Sequence, residues 1–167
     1  MKKTILKTLA IFGLCFFCCR AWNNPPNNGT WTITGSTFNT DSICAPPCDS
    51  ALPCVITAQT PFDSSNISNF SQLSIIFGSP PNSNQTYSLV SDSIMANSNL
   101  DSSQAYIQII KGLLPDTVYQ SIGSGSLSVS VSGTGQISVS PNSSINLQQM
   151  IPPYDTVQLT FNIGIIP

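Results

Sequence analysis

From Gly29 onward, apolar and polar residues alternate with a period of two, and clusters of Gly, Pro, Asn and Ser interrupt the alternation at intervals of roughly ten residues. This pattern is typical of β-strands that bury one face. The candidate strands are the segments TWTITG, CVITAQ, QLSIIF, TYSLV, AYIQIIK, TVYQSI, SINLQ and TVQLTFNIGI. Only SDSIMANSNLDSS and SPNSSINLQQM offer room for a helical turn, and neither sustains the helical period.

The clearest local prediction is a β-hairpin in SLSVSVSGTGQISVSP, at residues 126–141. Serine alternates with an apolar residue before SGTG and again after it, so the hairpin should turn its serines outward. Short connections between such strands favour antiparallel meanders. We therefore predict an all-β fold, either an antiparallel β-sandwich or a flattened meander barrel of about 8–10 short strands.

The first residues follow a different pattern. Lys2, Lys3 and Lys7 precede an uncharged run at residues 8–19, which is the layout of a secretory leader. This run is shorter than the roughly twenty residues that a membrane-spanning helix needs. We predict a signal peptide at residues 1–19, a polar tether at 20–28 and a single β-domain at 29–167.

Two cleavage sites compete in the leader. A lipoprotein peptidase would cut before Cys19, which follows the small Cys18 and would then carry diacylglycerol. An ordinary signal peptidase would use Cys19 and Ala21 as its small residues, extend the leader to residue 21 and leave Trp22 first. Either route predicts an extracytoplasmic protein, lipid-anchored in the cell envelope or secreted, which meets the membrane only through a lipid.

Charge narrows the function classes. Lys111 is the only Lys or Arg after Arg20, the acidic residues are seven aspartates, and there is no histidine. Nucleic-acid binding needs clustered Lys and Arg, so we expect no nucleic-acid partner. Without histidine, no Ser-His-Asp or Cys-His arrangement can form, so we expect no enzyme activity and no cofactor.

Three cysteines, Cys44, Cys48 and Cys54, lie close together in CAPPCDSALPC. In an exported protein such cysteines favour a disulfide. A brace between Cys44 and Cys54 would suit a hairpin, with Cys48 as the alternative partner. We expect no metal site, because the fourth ligand, commonly histidine, is missing.

Gly29 and Trp31 are spaced as in the first strand of lipocalin-like barrels. This similarity implies an alternative function, a barrel that holds a small apolar or sugar ligand in its mouth. The residues expected to line that cavity are Trp31, Tyr87 and Tyr106. The competing interpretation of Trp31 is a core aromatic residue.

The leader ending in cysteines, the polar tether, the opening Trp strand, TYSLV and the closing GSLSVSV and GQISVSP together resemble small extracytoplasmic all-β lipoproteins of Bacteroidetes. Their domain families are of unknown function. The residues after Arg20 lack the acidic run of lipoproteins exported to the cell surface, so the periplasmic face is favoured.

The same resemblance implies O-glycosylation. Bacteroidetes modify Ser or Thr in the triplet Asp, Ser/Thr, then an apolar residue or Thr, and five triplets of this chain match. The implied acceptors are Ser42, Ser50, Ser93, Thr117 and Thr156. The alternative is that Asp-Thr-Val simply starts strands.

We therefore expect a noncatalytic, envelope-associated or secreted β-domain with a structural or partner-binding role. Its affinity would come from turns and polar strand faces. Its partner would be an envelope protein or a glycan, and the sequence assigns no oligomeric state.

Overall fold

The computed structural model describes residues 29–40, 42–44, 54–61, 65–97, 100–112 and 117–165. These residues form one short helix, α1 (Asp92–Asn97), and a 3₁₀ turn (Ile67–Asn69). The remaining regular structure is twelve strands: β1 (Gly29–Ile33), β2 (Ser36–Asn39), β3 (Ser42–Cys44), β4 (Cys54–Gln59), β5 (Ser71–Phe77), β6 (Gln85–Leu89), β7 (Gln104–Lys111), β8 (Thr117–Ser121), β9 (Ser126–Val131), β10 (Ile137–Pro141), β11 (Ile145–Gln149) and β12 (Thr156–Ile165). The all-β prediction is confirmed.

All twelve strands belong to one sheet with the order β2-β1-β12-β10-β9-β6-β7-β5-β4-β3. Strands β8 and β11 lie off this path, because β8 pairs with β7 and β11, and β11 pairs with β12. Seven strands, β12, β10, β9, β6, β7, β8 and β11, therefore close into a hydrogen-bonded ring. The arms β1-β2 and β5-β4-β3 extend from the ring.

The two long strands of the ring each pair with three neighbours. Strand β12 pairs with β1, with β11 through residues 156–159 and with β10 through residues 163–165. Strand β7 pairs with β5, with β6 near its start and with β8 near its end. Closure of the ring depends on these two strands.

Every segment proposed as a strand from its alternation forms one, and the hairpin at residues 126–141 has its serines outward as predicted. The count is higher than expected, since β2 and β3 are too short to show a clear alternation. The pairing is also not wholly antiparallel, because β6 and β7 run parallel. Parallel neighbours need a long crossover, and the connection at residues 90–103 supplies one that contains α1.

The main core fills the inward face of this sheet, and Trp31, Phe77, Tyr87 and Ile107 are among its fully buried side chains. The other face of β4, β5 and β7 carries a smaller apolar cluster of Val55, Ile76, Val90 and Tyr106, with Met95 and Leu100 packed against it. The helix-bearing crossover thus covers part of the outer face.

Trp31 also anchors the β1-β2 arm. Its ring stacks on Phe38 with ring centroids 5.7 Å apart. The Lys111 ammonium lies 5.6 Å from the centroid of the Phe38 ring, within range of a cation–π contact. Lys111, the only Lys or Arg of the predicted β-domain, therefore links the end of β7 to β2.

The ring has a break where β6 ends and β8 begins along the same edge of β7. Ser121 fills it: its buried hydroxyl donates to the carbonyl oxygen of Val90 at 2.6 Å and accepts from the Ile107 amide at 3.2 Å. One side chain thus satisfies two backbone groups that a strand would otherwise pair.

Replacing Ser121→Ala should lower the free energy of unfolding by about 1–3 kcal/mol, because it leaves a buried N–H and a buried carbonyl with one partner fewer. Urea unfolding of the purified protein measures this change. Ser130→Ala, at an exposed position of β9, is the control and should change the free energy of unfolding by less than about 0.5 kcal/mol. A Ser121→Ala protein as stable as the control would contradict the role of this hydroxyl.

Candidate binding face

The outward positions of seven strands, β2, β1, β12, β11, β10, β9 and β6, carry no charged and no apolar side chain. Apart from Gly164, all of them are Ser, Thr, Asn or Gln. They are Thr37, Asn39, Thr30, Thr32, Thr156, Gln158, Thr160, Asn162, Asn146, Gln148, Ser138, Ser140, Ser126, Ser128, Ser130, Thr86 and Ser88. We call this set the neutral face.

The register places these side chains in lines across the strands. Thr32 lies between Thr37 on β2 and Thr160 on β12, and Thr30 lies between Asn39 and Asn162. Neighbouring lines are separated by about 7 Å along a strand and neighbouring side chains by about 5 Å between strands. Only part of their hydrogen-bonding capacity is used internally; Thr32 and Thr37, for example, share one hydroxyl contact at 3.0 Å.

One line continues around the sheet. Successive registers align one uncharged polar residue from each of six adjacent strands, and we call this line the polar row: Thr57, Ser74, Gln108, Gln120, Gln148 and Thr156. Gln148 and Thr156 are exposed members of the neutral face, whereas the other four members are buried.

The buried part of the row is incompletely satisfied. Gln72, beside the row on β5, donates to the Ser74 hydroxyl at 3.0 Å and accepts from the Gln59 amide at 2.9 Å. Within the described part of the chain, the Thr57 hydroxyl and the Gln120 side-chain carbonyl have no hydrogen-bond partner. Buried polar atoms are normally paired, so these two atoms mark places where a further hydrogen-bonding group would be stabilising.

The exposed end of the row meets the β11–β12 turn. This hairpin tip, residues 150–154, carries the exposed apolar side chains of Met150, Ile151 and Tyr154, of which Tyr154 is 56% exposed. The Met150 amide donates to the Val118 carbonyl at 2.8 Å, which ties the tip to β8. Exposed aromatic and aliphatic groups therefore lie directly beyond Gln148 and Thr156.

Among the described residues, Asp155 is the carboxylate next to the tip. The Gln149 amide donates to its backbone carbonyl at 2.8 Å, which closes the hairpin. Burial, and secondly the Asp155 charge, raise the pKa of Tyr119 on β8. This shift moves the phenol of Tyr119 further from ionisation.

The three residues expected to line a lipocalin-like cavity are not brought together. Trp31 and Tyr87 lie in the main core, where the Tyr87 ring packs edge-on against Phe77, whereas Tyr106 lies in the cluster on the opposite face of the sheet. Trp31 is a core aromatic residue, 1% exposed. A ligand cavity common to all three residues gains no support from this placement.

Tyr106 has a structural environment of its own. Its hydroxyl donates to the Asp92 carboxylate at the start of α1, at 3.4 Å. Burial, followed by the nearby Asp92 charge and this hydrogen bond, raises the pKa of Tyr106 far above its usual value. The phenol therefore remains protonated and joins α1 to β7.

The register of β3 and β4 disfavours the predicted disulfide between Cys44 and Cys54. Cys54 is buried and disulfide-bonded. Cys44, however, lies opposite Thr57, three positions from Cys54 along β4. Three strand residues span about 10 Å, and disulfides join Cα atoms less than about 7 Å apart, so the register disfavours the Cys44–Cys54 pairing. Cys48, the alternative, lies outside the described residues, as does the lipidation candidate Cys19.

The predicted glycosylation acceptors occupy the ends of elements. Ser42, Thr117 and Thr156 are the first residues of β3, β8 and β12, and Ser93 is the second residue of α1. Ser93 and Thr156 are exposed. Ser50 lies outside the described residues. This placement also fits the interpretation that Asp-Ser and Asp-Thr pairs start elements.

Comparison of the chain with protein-family models, curated proteins and solved structures found no match. Within the described residues, no helix has the length and apolar character needed to cross a membrane.

Two threonine substitutions compare the loss of an unpartnered buried hydroxyl, at Thr57, with the loss of a hydrogen-bonded one, at Thr60. Thr57→Val removes a hydroxyl without a partner, so the free energy of unfolding should stay the same or rise by about 1 kcal/mol. The Thr60 hydroxyl accepts from the Ser71 amide at 2.8 Å, so Thr60→Val should lower that free energy by about 1–2 kcal/mol. Urea unfolding compares the two, and equal destabilisation would contradict an unpartnered Thr57 hydroxyl.

Proposed function

We propose that this protein is a noncatalytic, extracytoplasmic β-domain whose neutral face binds an uncharged partner in the cell envelope or outside the cell. The observation that carries the proposal is the composition of that face, in which every side chain is a hydroxyl or an amide. Such groups both donate and accept hydrogen bonds.

A protein surface that serves only solubility usually carries many charged side chains, and the neutral face carries none. Globular proteins contain about 25% charged residues, whereas this chain contains 7%. A surface without charges offers nothing to an anionic polymer or an anionic lipid headgroup. It is suited to a partner that hydrogen-bonds through hydroxyl, amide or backbone groups, such as a neutral glycan or an uncharged protein surface.

The location belongs to the same proposal and rests on the leader. The basic and apolar first residues support export, and Cys19 supports a lipid anchor that would hold the domain at the envelope, with the periplasmic face favoured. Glycans on the exposed Ser93 and Thr156 would be compatible with this location. The intact mass of the native protein, which should begin at Cys19 with acyl chains, tests the anchor and the glycans together.

We further propose that Cys54 pairs with Cys48. The possible partners in the CAPPCDSALPC segment are Cys44 and Cys48. The register of Cys44 argues against a Cys44–Cys54 disulfide. A loop closed between residues 48 and 54 would fix the start of β4, whose first residue is already part of the main core.

Site-specific photo-crosslinking tests the partner-binding proposal. A crosslinking amino acid at Thr160, in the middle of the neutral face, should give one specific product in the native envelope or culture medium. The same amino acid at Ser83, which is exposed in the connection between β5 and β6, is the control and should not give that product.

The position dependence is decisive. Identical products from both positions, or no product from Thr160 where the protein is expressed at its native level, would contradict binding through the neutral face. With the crosslinking amino acid kept at position 160, Thr32→Asp, at the paired position on β1, should abolish the product as well, since a buried unpaired carboxylate at the contact is costly. The same substitution at Ser83 should leave the product unchanged.

A further inference from the structure

We propose that the hairpin tip and the exposed end of the polar row form a binding site for a neutral sugar unit. This inference rests on the proposed function and names the partner class at one end of the neutral face. The site combines the apolar side chains of the tip with the exposed side chains of Gln148 and Thr156.

The apolar part of the site is Tyr154. Its side chain is 56% exposed although an aromatic ring gains free energy on burial. Its backbone adopts φ 62, a left-handed conformation that L residues other than Asn and Asp seldom adopt. A Gly at this position would fit the turn better, so Tyr154 adopts this conformation at an energetic cost. The face of such a ring packs well against the C–H groups of a pyranose.

The polar part of the site is the row that reaches the tip. The register aligns Gln120 on β8 with Gln148 on β11, and Gln148 with Thr156 on β12. Gln148 and Thr156 are exposed, so their amide and hydroxyl groups can reach a ligand, whereas the side-chain carbonyl of Gln120 is buried and cannot. Amide and hydroxyl groups beside an aromatic ring are the groups that recognise an uncharged sugar.

The charges near the tip favour a neutral ligand over other partners. Asp155 adjoins Tyr154 and would repel phosphate and carboxylate groups. Lys111, the only Lys or Arg among the described residues, is engaged over the ring of Phe38. An anionic glycan, a nucleic acid and an anionic membrane surface are therefore disfavoured.

Two glycine substitutions provide a matched test. Tyr154→Gly removes the ring and relaxes the backbone, so it should not impair folding. Thr34→Gly makes the same change at the β1–β2 turn, where Thr34 has φ 46. Binding is measured by NMR titration of the mature full chain with uncharged oligomers of glucose, mannose, xylose and N-acetylglucosamine, with oligogalacturonate as the anionic probe.

The inference predicts that at least one uncharged oligomer binds, that Tyr154→Gly weakens it by about tenfold or more, and that Thr34→Gly leaves its affinity unchanged. Gln148→Met, at an exposed position, should also weaken binding without lowering stability. If the sugar binds equally well to Tyr154→Gly, the tip site is wrong, although a sugar still binds and the proposed function stands.

Absence of binding by every uncharged oligomer, or binding of oligogalacturonate alone, would overturn the sugar inference. These outcomes are distinguishable from failure of the proposed function, because the crosslink from Thr160 reports on the centre of the neutral face and does not depend on the tip.

Discussion

The fold depends on the closure of seven strands through β7 and β12, the two long strands that each pair with three neighbours. Along one of its edges, each long strand pairs with two neighbours in succession: β7 with β6 and β8, and β12 with β11 and β10. On β7 the change from β6 to β8 leaves backbone groups without a ladder partner, and the Ser121 hydroxyl binds two of them. A closed ring of hydrogen bonds fixes the register of every strand in it, and register determines which side chains face the core.

Along the five ring strands that belong to the neutral face, β12, β11, β10, β9 and β6, the two faces therefore differ completely in chemistry. Inward positions such as Leu127, Leu159 and Ile163 are fully buried, while their neighbours in sequence are the hydroxyls and amides of the neutral face. The single cation of the domain contacts Phe38 at the edge of the core. The proposed partner would meet a preformed surface of uncharged hydrogen-bonding groups, and preformed surfaces lose little conformational entropy on binding.

Much of this architecture could be predicted from the alternation of residues. The hairpin at residues 126–141, the burial of Trp31 and the outward serines follow from a period of two, because each requires only local sequence. The parallel pairing of β6 with β7 does not, since it depends on where a crossover of a dozen or more residues brings the chain back. Strand β2 escaped prediction because its four residues, STFN, hold one apolar side chain.

The candidate site was harder to predict for a related reason. Gln108 and Gln120 each stand in a strand that the pattern identifies, yet neither is special within its own segment. Their alignment into a polar row exists only after the register of six strands is known. Tyr154 likewise looks like an ordinary turn residue in PPYD, and only its exposure and its backbone conformation distinguish it.

The most direct test of the proposed recognition by the neutral face is the salt dependence of binding between the protein and the partner captured by the crosslink from position 160. Contacts between uncharged groups are not screened by ions, so the dissociation constant should change by less than about twofold between 0.05 and 0.5 M salt. A steep weakening with salt would show that charges carry the interaction, and would contradict the assignment of binding to the neutral face.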